Sequence, residues 1–287
     1  MLAIYKKELR SYFNSMIGYV FMAFFLIIIG VWFFVNNLMY YLASFEYTLS
    51  SISFIFILLT PLLTMRLMAE ENKQKTDQLL YTAPVTATSI VIGKFLAVFT
   101  IFSMVMAITC FYPLILSKYG DVQLASAYAG IGAFLLLGSA YLSMGLFISS
   151  LTDSQVVAAV ISFVVFLFTV VMDGIAGMFS SDNKTAVVVF SVILVLICIM
   201  LYKMMHNLTV AIGVGVICEA VLLTIYFLNP TWFDGSVRKV FSWLSVITRY
   251  DNFTIGVFDL SAIVYYISFT ILFNFLTVQV IKKKRWS

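Results

Sequence analysis

Eight long runs of apolar residues occupy most of this chain, and runs of that length restrict it to helices that are wrapped in other helices or in lipid. They lie at roughly Ile17–Val35, Ile52–Met65, Ile90–Leu116, Ala127–Ile148, Val156–Met172, Ala186–Leu201, Thr209–Leu228 and Leu260–Ile281. A hydrocarbon core ~30 Å thick is crossed by about 20 helical residues. The runs at Ile52 and Ala186 are short by that measure, and the first reaches full length if it begins near Tyr47. Composition decides between core and membrane. The 287 residues are 63% hydrophobic and 10% charged, with a mean hydropathy of +1.06, whereas a soluble domain carries about 25% charged residues. The expected fold is an all-α integral membrane protein, a polytopic helical bundle of about eight spans (six to eight) forming one transmembrane domain over residues 1–287.

Lys and Arg set the orientation, because cytoplasmic segments retain them. With the N-terminus inside, twelve of the 17 basic residues fall on the cytoplasmic side. Five fall outside: Lys118, Lys184, Arg238, Lys239 and Arg249. An even number of spans also returns the basic tail Lys282–Arg285 to the side of the start. Both termini and the polar stretch 66–94 are therefore expected in the cytoplasm. The first apolar run is too long for a cleavable signal peptide and lacks a cleavage-like exit. Because the basic residues sit at span ends, the net charge of +4 reads as membrane anchoring; nucleic acid is not expected as a partner, and the lipid bilayer is.

Three polar segments interrupt the spans. Residues 1–15 read as an interfacial elbow helix, with Leu2, Tyr5, Leu9 and Tyr12 on one face and Lys6, Lys7, Arg10 and Asn14 on the other. The plainer alternative is a basic flank. Residues 66–94 form a charged island whose second half is amphipathic through Leu79, Leu80, Val85, Ile90 and Ile92, broken by Pro84. Such a segment suits a groove on a soluble partner. Residues 229–259 carry Trp232, Phe233, Phe241, Trp243, Tyr250, Phe253 and Phe258 among few charges. This density fits one or two helices at the outer headgroup layer.

Little in the chain supports catalysis. Gly93-Lys94 lacks the upstream glycine and following Ser/Thr of a phosphate-binding loop, since Thr88 and Phe95 stand there. No catalytic, cofactor-binding or metal-ligating set is expected: His206 is the only histidine, and Cys110, Cys198 and Cys218 lie in apolar runs without metal or disulfide spacing. Glu219 stands near the middle of an expected span, where a carboxylate is costly. It either faces a translocation path, takes up a proton, or bonds to a hydroxyl or amide on a neighbouring helix. Gly213 and Gly215 on the same run permit close helix contact.

The chain resembles the type 2 ABC exporter permeases, in particular the gliding-motility and copper-processing branch. The resemblance rests on the elbow YKKELRSYFNSMIGYV and on the loop pattern Arg66, Glu70-Glu71, Thr76, Leu79-Leu80, Pro84-Val85, Gly93-Lys94. It rests also on the closing stretch with Arg249-Tyr250, Phe253, Gly256, Asp259, Tyr265 and Arg285-Trp286. Asp77 stands where the family often has Glu, and the pair of runs within 186–228 exceeds the common six spans. The resemblance implies a half-transporter in the bacterial inner membrane, without an ATPase site of its own, that moves substrate outward. Two copies of a separate ABC ATPase subunit would carry ATP and Mg. A second permease chain, identical or related, would complete the pore, and an extracytoplasmic accessory protein is a further partner of such systems. Glu70, Glu71, Thr76, Leu79, Leu80, Pro84, Val85 and Ile90 would form the ATPase-docking coupling segment, and Trp243, Arg249, Tyr250 and Phe253 an outer gate. A membrane anchor for an ATPase that transports nothing, and an ion-driven carrier using Glu219, are the competing readings.

Overall fold

The computed structural model describes residues 1–76, 85–178, 185–192, 194–195, 198, 208–229 and 233–286. They are helical, and six helices among them are long and apolar enough to cross a membrane: Ile17–Met39, Phe45–Gln74, Ala87–Leu116, Leu124–Leu151, Gln155–Met178 and Leu260–Arg285. That number lies at the lower end of the expected six to eight. The seventh expected run coincides with the helix Leu208–Leu228, whereas much of the Ala186–Leu201 run lies outside the described residues. The second span starts at Phe45, close to the Tyr47 start that its length requires. The first span continues to Met39 through a π-helical stretch at Phe34–Met39. The expected outer loop from Asn36 is thereby reduced to a few residues around Tyr41.

The chain divides into two compact units, residues 1–168 with 247–287, and residues 169–246. In the first, the fourth span Leu124–Leu151 is the axis, packed against the second, third and last spans. Helices in lipid gain nothing from hydrophobic contact with one another, so close backbone approach through small residues holds them. The fourth span supplies those residues. A Cβ at Gly138 would overlap the Phe102 ring, one at Gly145 the Thr64 side chain, and one at Gly130 would come within 2.8 Å of Glu46 Cγ. Phe56 anchors an aromatic cluster between these helices, with ring centroids 5.0 Å from Phe102, 5.4 Å from Phe134 and 5.5 Å from Phe25. Several hydroxyls inside the bundle bond to their own helices, as where Thr60 Oγ1 donates to the Phe56 carbonyl at 2.8 Å and Ser143 Oγ to that of Ala140 at 2.8 Å.

In the second unit, Ala186, Phe233 and Val237 form a small core joined by Phe190, Leu222 and Tyr226. The outer stretch expected as one or two helices contains Ser236–Leu244 in this unit, and a 3-10 turn Thr248–Tyr250 with a single helical turn Asp251–Thr254 in the first.

Two glycines of the fourth span separate packing from mere small size, because a Cβ at Gly132 would meet nothing within 4 Å. Gly138→Ala should lower stability by about 1–3 kcal/mol through overpacking against Phe102. Gly132→Ala should be neutral or stabilising by up to ~1 kcal/mol. Thermal unfolding of the two purified variants in one detergent checks this, and equal midpoints would refute the close-packing account.

Candidate functional site

The site is built at the end of the first unit where the elbow helix Leu2–Asn14, the short helix Arg66–Gln74 and the first turns of the third span meet. The elbow helix turns into the first span at Met16, a non-glycine residue held at φ 58°. The row it packs on the protein is Ile4, Glu8 and Tyr12, of which only Tyr12 belongs to the apolar Leu2–Tyr5–Leu9–Tyr12 face, and Leu2 is exposed. The physical reason lies on the third span. Lys94 sits wholly buried there and needs anions, so Glu8 is drawn inward. Lys94 Nζ lies 3.0 Å from Glu8 Oε1 and 2.8 Å from Glu71 Oε2, and donates to the Leu67 carbonyl at 2.6 Å. Lys7 closes the set, 2.8 Å from Glu71 Oε1 and 3.7 Å from Glu8 Oε1. Two cations and two carboxylates thus form a charge-balanced quartet. Burial alone would lower the Lys7 pKa, but the hydrogen bond to Glu71 and the nearby carboxylates raise it above the ordinary lysine value. Tyr12 donates to the Leu63 carbonyl at 2.7 Å, and burial with the Glu8 charge nearby pushes its hydroxyl pKa well up.

The helix Arg66–Gln74 is fixed on its other side by Ser149 of the fourth span. Ser149 Oγ accepts from the free backbone N–H groups of Met68 and Ala69, both at 3.1 Å, and donates to the Met65 carbonyl at 3.0 Å. A serine of another helix thereby caps donors that a helix start leaves unpaired. Asn72 donates to the Thr152 carbonyl at 3.1 Å, and Arg66 pairs with Glu70 one turn on. The helix ends at Lys75 in the left-handed conformation, with the Thr76 N–H on the Glu71 carbonyl at 3.0 Å. The basic tail joins this end of the unit: Lys284 Nζ donates to the Ser150 carbonyl at 2.9 Å and Arg285 to that of Val85 at 3.2 Å.

Of the residues expected in a docking segment, Leu79, Leu80 and Pro84 lie outside the described residues. Glu70, Glu71 and Thr76 are engaged within the Arg66–Gln74 region as above, Val85 holds the tail through its carbonyl, and Ile90 is buried in the third span. In the outer segment of the first unit, Tyr250 is buried against Phe134 at 5.7 Å and Phe253 at 6.2 Å and donates to the Gly130 carbonyl at 3.3 Å. The Arg249 guanidinium lies 4.5 Å from the centre of the Tyr265 ring. Trp243 belongs to the second unit and is exposed. Glu219, also in the second unit, accepts from Ser191 Oγ at 2.6 Å, which is the hydroxyl contact among its three expected roles. Among the described residues no group of three or more His, Cys, Asp or Glu could hold a metal.

Glu8 and Ser149 carry no signal in the sequence. Lys94 stands out there only as part of the Gly93-Lys94 pattern and as a cation at a span end, and no periodicity reveals that its charge is buried in the bundle.

The arrangement fixes the helix Arg66–Gln74, and the chain as far as Thr76, against the third and fourth spans. A family model described as ABC-2 family transporter protein matches residues 35–229, well over half of the chain. The chain belongs to this family of transporter proteins. The match starts inside the first span and closes at the end of the helix Leu208–Leu228, so it contains the Arg66–Gln74 helix and Lys94, while the elbow helix and last span lie outside it. No curated protein matches the chain. As an ABC-2 permease it is a multi-pass membrane subunit of an ABC transporter, and membership implies a partner ATPase subunit.

Breaking a buried ionic set by removing one member leaves uncompensated charge and costs about 3–5 kcal/mol, whereas neutralising the whole set can be nearly harmless. Lys94→Met should therefore be strongly destabilising, and adding Glu8→Gln and Glu71→Gln should recover much of the loss. Thermal unfolding of the single and triple variants measures both; a triple variant less stable than Lys94→Met would sink the charge-balance account.

Proposed function

We propose that this ABC-2 permease is the membrane half of an ATP-driven exporter and that the segment following Thr76 docks into a groove on the ATPase subunit. The observation that carries the reading is the mounting of the Arg66–Gln74 helix. Its start is held by Ser149, its middle by Lys94 through Glu71, and its end by Asn72 on Thr152. A segment attached to so firmly seated a helix transmits displacement to the spans instead of absorbing it. Thr76, Leu79, Leu80, Pro84 and Val85 are then the residues that meet the ATPase, with Glu70, Glu71 and Ile90 supporting them from within the permease. ATP binding on the partner supplies the driving free energy, and it shifts the permease only in so far as the two permease conformations bind the ATPase differently.

In this reading two ATPase copies serve two permease chains, the same or related, in a bacterial inner membrane with both termini and the 66–94 region cytoplasmic. The segment with Arg249, Tyr250 and Phe253 forms the opposite gate, where an extracytoplasmic accessory protein would engage; Trp243, in the second unit, is assigned to a gate by the resemblance alone. Outward transport rests on the resemblance to exporters. Glu219 is a hydrogen-bonded structural group in this reading, and Ser191 is the partner that favours it over an ion-carrying role.

Placing a carboxylate in an apolar docking groove typically costs 2 kcal/mol or more at a central position, which is roughly thirty-fold or more in affinity. Leu79→Asp and Leu80→Asp should therefore abolish recovery of the ATPase when the tagged permease is purified from native membranes in mild detergent, with permease yield unchanged. An ATPase retained by both variants would refute docking through this segment. ATP-dependent substrate flux in vesicles then separates an exporter from an anchor that transports nothing.

A further inference from the structure

The outward face of the elbow helix carries a site that the transporter reading does not use. A recess of about 700 Å³ opens there, lined by Lys6, Lys7, Arg10, Asn14 and Arg66 and by no carboxylate. Lys7 and Arg66 already have acidic partners in Glu71 and Glu70. Lys6 and Arg10 have none among the described residues, and both are exposed. They stand four residues apart on one helix face, a spacing at which like charges repel. An anion between them would remove that repulsion.

A second recess adjoins the first. It measures about 410 Å³ and is almost wholly apolar, running between the first and second spans along Ile17, Val20, Phe24, Leu59 and Leu62. The two share Ser15, and they meet again where Met65 of the apolar recess is followed by Arg66 of the basic one. Val20, Phe24 and Leu62 are about half exposed or more, so the groove is open along the bundle flank. A basic pocket that continues directly into an apolar groove at the start of a membrane span has the two-part chemistry of a phospholipid: a phosphate head beside cations and an acyl chain along a helix pair.

We infer that these joined recesses hold an anionic glycerophospholipid, its phosphate between Lys6 and Arg10 and one acyl chain in the groove between Ile17 and Leu62. The lipid is a bound structural ligand at this site. The inference needs only that the chain is embedded in a bilayer, and it stands or falls independently of the ATPase.

The test is native mass spectrometry of the full chain, released from nanodiscs of phosphatidylcholine doped with phosphatidylglycerol, counting the phosphatidylglycerol retained. The wild type should retain it in preference to phosphatidylcholine, and Lys6→Gln/Arg10→Gln should lower that preference by roughly ten- to thirty-fold. Leu62→Trp, which fills the groove and leaves every charge in place, should lower retention as well. Lys118→Gln/Lys282→Gln, which removes exposed cations elsewhere, should leave it unchanged. Equal losses in that control would mean diffuse charge attraction and overturn the site. Displacement of the lipid by excess inorganic phosphate, or full retention in Leu62→Trp, would mean a phosphate site without an acyl groove and overturn the lipid assignment.

Discussion

Lys94 is the group on which this end of the molecule depends. An ammonium moved out of water loses solvation worth several kcal/mol even after the protein relaxes, and recovers it only from close anions and carbonyls. Two carboxylates and the Leu67 carbonyl surround it at 2.6–3.0 Å. They come from different elements, so meeting this one electrostatic demand seats the elbow helix, the post-span helix and the third span together. Coulomb attraction alone would tolerate many arrangements, but three short contacts to one nitrogen fix a single register.

That register explains features of the surrounding helices that would otherwise look unfavourable. A glutamate occupies the buried row of the elbow, and a serine at the end of the fourth span caps a helix to which it does not belong. The Arg66–Gln74 helix is held from both sides, by Ser149 and Thr152 of the fourth-span end and by Lys94 of the third span, and the coupling proposed for the segment beyond Thr76 would use that double attachment. The fourth span is in turn packed against the last, where Ser139 Oγ lies 3.0 Å from Thr270 Oγ1, and its glycines Gly130, Gly138 and Gly145 face the second and third spans.

Much of the architecture was legible in the sequence. Hydropathy located the spans because a bilayer imposes a length on every crossing, and it anticipated the start of the second span near Tyr47. The polar 66–94 stretch stood out for the same reason. The elbow's apolar face was legible from its periodicity, but the row that packs on the protein was not, because periodicity ranks side chains by hydropathy and Glu8 is buried by its partner. Lys94 was legible as part of the Gly93-Lys94 pattern but its role was not: counting cations at span ends predicts which side of a membrane they occupy, and says nothing of whether they face lipid, water or a carboxylate. Ion pairing between residues 8, 71 and 94 is a tertiary fact with no local signature. Glu219 was legible as an anomaly, and its partner Ser191 was not, since a serine in an apolar run is ordinary.

The elbow helix is therefore best understood as sorted by charge rather than by hydropathy. Glu8 points to Lys94, Lys7 bridges outward from Glu71, and Lys6 and Arg10 are left on the far side without an acid. In the lipid-site reading, an apolar face alone would leave this helix nothing to offer the phosphates on its polar side. It gains more by giving its acid to the protein and its surplus bases to the membrane. Lys7, Ser11 and Arg66 line both the inner polar recess, about 520 Å³ in volume, and the outer basic one. The ionic set and the basic recess proposed to hold a lipid phosphate thus share residues of one helix. A phosphate bound on that face would therefore lie beside Lys7, whose partner Glu71 also pairs with Lys94.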